Sequence, residues 1–315
     1  MEMKKIKALT LTILARMTAN YSDSLGNVAS TQKVYRDGKI YAMRSRESMK
    51  NAIMVESGMY DDLTVTVDGA TQKEVREDMN ASNCKALEGG YMNTSVGKDK
   101  LTFIRNSSFY LTDAIACEPF INEPRFHNNL HLATTYAKDN GLNVQNDAKA
   151  VGLMPYNYEY DESLKAYSIT FDLEMIGKDE NFNNAEAEPK EKADRVIAIL
   201  DAIENLNLTV KGNLDNAEPI FIIGGLGNRK THVFENVVRV KGDKLIITED
   251  LIEKKNSGYN AGLLRGENFI NEEEIVQKLN TISITKFFDD LKGQVKKLYL
   301  SSEKCTNFQL KSIPL

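Results

Sequence analysis

The pattern of hydrophobic and polar positions predicts strands and helices that alternate along the chain. Ile6–Met17 is rich in Ile, Leu, Thr and Ala without helical punctuation, which is typical of a strand buried on at least one face. Other segments with apolar runs or period-two alternation are predicted as strands: Lys39–Met43, Leu63–Val67, Lys100–Ile104, Tyr167–Leu173, Ile220–Ile223 and Lys244–Thr248. Between them lie segments with the helical period, so the pattern predicts an α+β protein.

The clearest helical segment is Glu188–Leu206. Pro189 suits the first turn, acidic residues lie near the N-terminus, and one face is apolar. Glu272–Tyr299 is a long amphipathic stretch that is expected to break near Thr281, and Thr71–Gly90 is expected to be helical at its start. By contrast, Glu118–Asp161 contains three prolines and several asparagine patches, which predicts an irregular excursion outside the core.

A further helix is predicted to begin after Ser45, a suitable N-cap. Arg44, Arg46 and Lys50 would then cluster at the N-terminus of this helix. Free backbone N–H groups and the helix dipole favour an anion there, so the cluster suggests a phosphate-binding site that also includes Ser45 and Ser48. The alternative is that the three cations are ordinary solvated surface charges.

Charge is segregated along the sequence. Residues 1–50 hold ten Lys or Arg and four acids, a local charge of +6, whereas residues 171–206 hold four Lys or Arg and ten acids, a local charge of −6. The whole chain carries −5, which is unusual for a protein that grips a phosphate backbone. A basic face that binds a polyanion and an acidic face that meets the next copy of the chain would make the negative net charge compatible with binding to a phosphate backbone.

Length and composition indicate an ordinary globular protein. The 315 residues suffice for one elaborated domain or two, with 42% apolar and 27% charged residues. Neither a secretory signal nor a membrane helix is visible, and the three cysteines are too few and too scattered for a disulfide framework or a zinc knuckle. The sequence therefore predicts a cytoplasmic protein.

A glycine-rich segment follows the strand predicted at Ile220–Ile223. Its glycines let the backbone approach another molecule closely, and three polar residues follow them; the segment comprises Gly224, Gly225, Gly227, Asn228, Arg229 and Lys230. It matches neither a Walker loop nor the dinucleotide fingerprint. A turn at the end of a strand is the alternative interpretation.

Catalytic motifs have little support in this sequence. The histidines are His127, His131 and His232, and they lack the surroundings of a zinc site or a nucleophilic triad. No catalytic residue, metal ligand or cofactor is predicted from these patterns.

Four segments resemble, in order and spacing, the Cas-seven family of CRISPR backbone proteins in the RAMP superfamily. They are the run from Asn20 through RSRESMKNAI, RNSSFYLTDAIACEPF at 105–120, LKAYSITFDLEMIG at 164–177 and GGLGNRKTHVF at 224–234. The last three resemble the type I-B members, the Cst-two or DevR-like autoregulator group. The resemblance covers most of the chain.

The resemblance implies one domain spanning 1–315, with a ferredoxin-like, RRM-like βαββαβ core and large insertions. It implies a non-enzymatic backbone subunit of a type I-B Cascade complex that polymerises along the CRISPR guide RNA. The implied partners are that RNA, the target DNA strand, further copies of the chain and the Cas-five, Cas-six and Cas-eight subunits. The implied RNA-binding residues are Asn20 and Ser22, the candidate phosphate site and the glycine-rich segment. The candidate site comprises Arg44, Ser45, Arg46, Ser48 and Lys50, and the segment comprises Gly224, Gly225, Gly227, Asn228, Arg229 and Lys230.

The family also has a projecting hairpin, the thumb, before the core strand that 164–177 resembles. Residues 128–161 are the thumb candidate, with its working part near Leu153, Met154, Tyr156 and Tyr158. Type III relatives cut RNA with an aspartate in the loop equivalent to that around Asp23. A metal-dependent endoribonuclease that uses Asp23 is therefore the alternative function.

Overall fold

The computed structural model describes residues 6–21, 28–65, 75–94, 102–210 and 212–309. The strands in these ranges are β1 (Ala8–Thr18), β2 (Val28–Ala29), β3 (Lys33–Arg36), β4 (Lys39–Arg44), β5 (Tyr91–Thr94), β6 (Thr102–Arg105), β7 (Phe109–Leu111), β8 (Ala114–Ala116), β9 (Pro124–His127), β10 (Tyr156–Glu159), β11 (Glu162–Asp172), β12 (Lys178–Asp179), β13 (Ala185–Glu186), β14 (Asn207–Val210), β15 (Asn213–Asn216), β16 (Phe221–Gly227), β17 (Val240–Lys241), β18 (Lys244–Leu245) and β19 (Asn260–Leu263). The α-helices are α1 (Arg46–Glu56), α2 (Leu130–Asp139), α3 (Pro189–Glu204), α4 (Glu249–Asn256), α5 (Glu272–Leu279) and α6 (Ile284–Gln309).

The centre of the fold is an antiparallel sheet of eight strands. Its order is β19-β16-β1-β11-β8-β4-β3, and β7 also pairs with β11. The eleven residues of β1 pair along their full length with β11, and Ala8–Leu14 pair with β16 on the other side. Both central strands are buried almost throughout, which confirms the prediction of a buried first strand.

Helices α1, α3 and α6 cover one face of this sheet. Alternate residues of β1, such as Leu9, Leu11 and Ile13, meet apolar side chains of all three helices in the largest core cluster. Because side chains of a strand alternate between faces, Thr10, Thr12 and Leu14 lie on the other face. Part of that second face is covered by the chain after β16, where Phe234 belongs to the cluster that contains Leu14.

The helical predictions are confirmed where they fall on described residues. Ser45 caps α1 by accepting the Ser48 N–H at 3.3 Å, α3 has Pro189 in its first turn, and the predicted break near Thr281 separates α5 from α6. The strand predicted at Leu63–Val67 is not formed in its described part, 63–65, and the rest lies outside the described residues. The helical start predicted at Thr71 also lies outside them, and the end of that segment forms a short 3-10 helix, Lys85–Gly89.

The segment Glu118–Asp161 lies outside the main sheet as predicted, but the prediction that it is irregular is wrong. Strands β9 and β10 pair antiparallel, β2 joins β10, and α2 lies in the connection between β9 and β10. The sequence pattern did not predict α2, because the buried residues of this helix are small. Ala133 and Ala137 pack on Val151 in a separate small cluster. Two alanines give little periodic signal.

A buried ion cluster joins the segment around the 3-10 helix to the core. Glu88 is fully buried and accepts hydrogen bonds from Arg195 Nη1 at 2.8 Å, Arg105 Nη2 at 3.1 Å, the Gly177 N–H at 2.6 Å and Ser108 Oγ at 2.5 Å. Both guanidinium groups also donate to backbone carbonyls, for example those of Met175 and Ala81. The carboxylate therefore ties four distant segments together.

Within the described ranges, no helix is long and apolar enough to cross a membrane.

Candidate nucleic-acid interface

The N-terminus of α1 is held by side chains from elsewhere in the chain. The Asn20 amide bridges two of its residues: Asn20 Oδ1 accepts the Ser45 N–H at 2.8 Å, and Asn20 Nδ2 donates to Ser48 Oγ at 3.0 Å. The Arg46 N–H donates to Asp113 Oδ1 at 2.8 Å, and Asp113 lies in the connection between β7 and β8. Asn20, Ser45 and Ser48, which the sequence grouped, are thus brought together by direct contacts.

Two first-turn N–H groups of α1 are bonded to the chain's own side chains. The Asp113 carboxylate accepts the N–H of Arg46, and the Ser45 hydroxyl accepts that of Ser48. Interaction with its own backbone N–H lowers the pKa of Glu47 although partial burial opposes the shift, and the Arg46 side chain lowers it further. The expectation that these N–H groups are free for phosphate is therefore wrong, because Asp113 arrives from 67 residues away.

The three cations predicted at this helix are separated by the fold. Arg44 is only 6% exposed, and burial lowers its pKa although Asp215 opposes the shift. The Lys50 ammonium donates to the Gly89 carbonyl at 2.9 Å and to Ser107 Oγ at 2.6 Å. Only the Arg46 side chain, 62% exposed and paired with Glu47 at the surface, points outward.

Two adjoining polar cavities meet at Arg46 and Asp113. The helix-side cavity, about 550 Å³, lies over the start of α1 and is lined by Thr31, Gln32, Lys33, Ser45, Arg46 and Asp113. The sheet-face cleft, about 700 Å³, lies on the sheet face opposite the helices, and its lining includes Thr12, Tyr41, Arg46, Ser168, Asn236 and Arg239. Because Arg46 and Asp113 line both, the two cavities are neighbours, and together they are called the groove. Sequence patterns gave no signal for Tyr41, Asp113, Asn236 or Arg239.

The predicted glycine loop is the end of strand β16. Gly224 has φ +154°, and a Cβ built on it would lie 1.9 Å from the Thr10 carbonyl oxygen of β1. Gly225 has φ +147° and faces Tyr259, and Gly227 is the last residue of the strand. The close approach that Gly224 permits is therefore to the neighbouring strand of the same chain, and Gly225 and Gly227 lie against the Tyr259 side chain.

The three polar residues after the glycines differ in their surroundings. Asn228 and Arg229 are exposed, directly beyond the end of β16. The Lys230 ammonium pairs with Asp172 Oδ1 at 2.8 Å and Glu174 Oε2 at 3.0 Å. Although burial alone would lower it, these two hydrogen bonds raise the pKa of Lys230. Both cations are therefore at the surface, but the Lys230 ammonium is held by two carboxylates.

Strands β9 and β10 form a ribbon with a stacked aromatic row on one face. The His127 ring lies between Tyr156, at 5.5 Å between centroids, and Tyr158, at 4.6 Å, and Tyr21 meets Tyr158 edge-on. Next in the row, the Arg125 guanidinium lies 3.5 Å from the Tyr160 ring centroid. One face of the ribbon therefore offers aromatic and cationic groups together.

The ribbon is anchored beside the helix-side cavity. Glu159 accepts the Thr31 N–H at 3.0 Å and pairs with Lys33 Nζ at 2.5 Å, and both partners line that cavity. Among the predicted thumb residues, Tyr156 and Tyr158 lie on β10 and Met154 is 71% exposed. Leu153 instead packs on the separate small cluster around α2.

The acidic segment 171–206 is paired largely within its own chain. Besides the Lys230 contacts, Lys292 binds both Asp201 and Glu204, and Arg195 binds Glu191. These pairs reduce the acidic surface that could attract the basic face of another copy. The ion pairs therefore weaken the hypothesis that opposite charges hold neighbouring copies together. Polymerisation stays a prediction that rests on the family resemblance.

The histidines are distributed as follows. His127 belongs to the aromatic row and His131 is exposed on α2. His232 instead packs on the sheet, with Nδ1 2.8 Å from Thr170 Oγ1. Over the described ranges, no three His, Cys, Asp or Glu side chains come together as a possible metal site. Ser22 and Asp23 lie outside the described residues.

Comparison with known proteins identifies both a family and a fold. Residues 10–246 match the family described as "CRISPR-associated negative auto-regulator DevR/Csa2". A solved structure titled "CRISPR RNA-guided surveillance complex" is similar at 14% identity and a TM-score of 0.51, over 90% of this chain and 99% of that chain. Another, titled "CRISPR RNA-guided surveillance complex, pre-nicking", is similar at 10% identity and a TM-score of 0.55, over 91% of this chain and 100% of that chain. No curated protein matches the sequence.

Proposed function

The chain belongs to the DevR/Csa2 family of CRISPR-associated proteins, the Cas-seven family of type I-B systems, and we propose that it is an RNA-binding backbone subunit of a Cascade-type surveillance complex. The family match, which spans well over half of the chain, is the observation that carries this proposal. The two structures that share the fold are titled as RNA-guided surveillance complexes, which supports the same function.

The strand order supports an RRM-like core. β1, β11 and β16 are neighbours in the order β16-β1-β11, with β7 and β8 on the far side of β11, and α1 and α3 pack on one face. With α1 after β1 and α3 after β11, this corresponds to a βαββαβ unit in a single domain, into which the other elements are inserted.

The RNA contacts differ from those of an ordinary RRM. An RRM stacks bases on aromatic residues of its two central strands, whereas the equivalent face here carries Thr10, Thr12, Ser168 and Thr170 and is partly covered. The groove through Arg46 and the exposed Arg229 are the surfaces that suit a sugar-phosphate backbone. Asn20, Ser45 and Ser48 would then shape the groove, and Arg44 and Lys50 would support it from inside.

In this function the subunit grips RNA without reading its sequence, and the guide pairs with the target DNA strand. Residues 128–161, with strand β9 that precedes them, serve as the thumb, and Met154, Tyr156 and Tyr158 present surfaces on which bases can stack. Further copies and the Cas-five, Cas-six and Cas-eight subunits complete the complex in the cytoplasm. The subunit itself needs no cofactor.

The protein is expected to purify as oligomers that carry intact RNA when it is expressed with a guide RNA and the partner subunits. Size-exclusion chromatography with absorbance at 260 and 280 nm, followed by extraction of the nucleic acid, tests this. A clean monomer with a protein-like absorbance ratio would contradict the proposal. RNA that shortens when magnesium is added would instead favour the nuclease alternative.

Arg46→Ala is expected to weaken RNA binding equally for all sequences, because phosphate contacts carry no base information. The loss of one phosphate contact should reduce the slope of log K against log salt by about 0.7. Lys50→Ala is the matched control: its hydrogen bonds lie inside the fold, so it should keep the slope and lower the free energy of unfolding by about 1–3 kcal/mol. If Lys50→Ala reduced the slope in the salt titration and Arg46→Ala left it unchanged, the phosphate contact would be assigned to Lys50.

A further inference from the structure

The sheet-face cleft is built from three separate parts of the chain. Its floor carries the hydroxyl groups of Thr12 on β1 and Ser168 on β11, whose oxygens are 2.7 Å apart. The segment after β16 contributes Asn236 and Arg239, and the β3–β4 hairpin contributes Tyr41. Thr12 and Ser168 are almost fully buried and close the floor, so the groups that the cleft offers to a ligand are amide, guanidinium and aromatic groups.

The Arg239 guanidinium is held in position by the backbone. Its Nη1 donates to the Glu235 carbonyl at 2.6 Å and to the Val238 carbonyl at 2.8 Å. A guanidinium fixed in this way loses less rotamer entropy when a flat ligand stacks on it. Arg239 is thus a preorganised planar group in the lining of the cleft.

Tyr41 supplies an aromatic ring to the same cleft. It pairs with Val34 across the β3–β4 hairpin, and the next pair is Tyr35 with Ile40. Because side chains alternate along a strand, Tyr35 points to the opposite face of this hairpin, where it is 71% exposed. The hairpin therefore carries two tyrosines, of which Tyr41 lines the cleft and Tyr35 does not.

The chemistry of the cleft fits a nucleobase. A base needs flat surfaces for stacking and both donors and acceptors at its edges, and the lining contains Arg36 and Arg239 as donors with Asp37 and Glu235 as acceptors. Arg46 lines both this cleft and the helix-side cavity, so a phosphate of the same strand can lie beside its guanidinium.

We propose that the sheet-face cleft takes one unstacked nucleotide of the bound RNA strand, with its base stacked on Tyr41 and its phosphate at Arg46. This inference rests on the proposed RNA-binding function and adds a base-binding site to it. Among the RNA-binding residues predicted from the sequence, only Arg46 lines the cleft. The sequence therefore did not predict a contact with the base.

The test is a double-mutant-type cycle, in which the Tyr41 ring and the bases of the strand are removed separately and together. Equilibrium binding is measured with an oligouridylate of about 12 nucleotides and with a strand of the same length and charge that lacks its bases. Tyr41→Ala should weaken binding of the oligouridylate by about fivefold to a hundredfold and leave binding of the base-free strand unchanged. Tyr41→Phe, which keeps the ring, and Tyr35→Ala, on the opposite face, should behave as wild type.

A second measurement uses the unaltered protein. Irradiation of a bound strand that contains 4-thiouridine should cross-link peptides that include Tyr41 or residues 235–240. Equal losses for both strands in Tyr41→Ala, or cross-links confined to other peptides, would overturn the base site while leaving the RNA-binding function in place. If neither strand binds wild-type protein, the proposed function fails and this inference fails with it.

Discussion

Replacing Glu88 by Ala is expected to lower the free energy of unfolding by about 3–5 kcal/mol, a large part of the stability of an ordinary domain. Glu88 is fully buried between the Arg105 and Arg195 guanidinium groups, whose side chains are each only 2% exposed. Its removal leaves two buried positive charges with backbone carbonyls as their remaining acceptors, apart from Glu191 at the surface. Urea unfolding followed by circular dichroism measures the change.

Glu191→Ala is the matched control for this experiment. Glu191 also binds Arg195, at 2.9 Å, but its side chain is 48% exposed. Solvent screens such a pair, so its removal should cost about 1 kcal/mol or less. Similar losses of unfolding free energy in the two variants would show that the buried ion pairs of Glu88 contribute no more to stability than the exposed pair of Glu191.

Gly224→Ala is expected to destabilise the central sheet by about 2–6 kcal/mol, from overpacking against β1 and from backbone strain. The new Cβ would lie 1.9 Å from the Thr10 carbonyl oxygen, which belongs to the backbone and can move only if β1 moves. The positive φ of +154° adds strain for any residue with a side chain. Unfolding measurements on the RNA-free protein test this directly.

Gly227→Ala is the control in the same strand. Its Cβ would meet Tyr259 Oη, the far end of a flexible side chain, and no positive φ opposes the substitution. Its stability should therefore change by less than about 1 kcal/mol. If Gly224→Ala kept wild-type stability and lost RNA affinity, the glycine would act as an RNA contact, as the sequence-based hypothesis held.

Local signals account for the elements that the sequence predicted well. The cap of α1 needs only Ser45 and Ser48, three residues apart, and α3 is recognised from Pro189 and its apolar face. The family resemblance also depended on segments that are continuous in sequence, and the family match over residues 10–246 confirms it.

The distribution of the binding residues was decided by distant parts of the chain. Arg44, Arg46 and Lys50 look equivalent in sequence, but β4 buries the first, and Gly89 and Ser107 engage the third from 39 and 57 residues away. In the same way, Asp113 occupies a helix N–H that local rules leave free. Sequence patterns describe neighbours within about one helical turn, so they cannot supply such partners.

The sequence by itself determined the α+β class, the buried first strand, the principal helices and the family. Only the tertiary structure decided which cations face solvent, that Gly224 serves strand packing, and that Tyr41 and Arg239 line one cleft above Thr12 and Ser168. The physical reason is that propensity and periodicity act along the chain, whereas burial, ion pairing and cleft formation depend on which strands become neighbours.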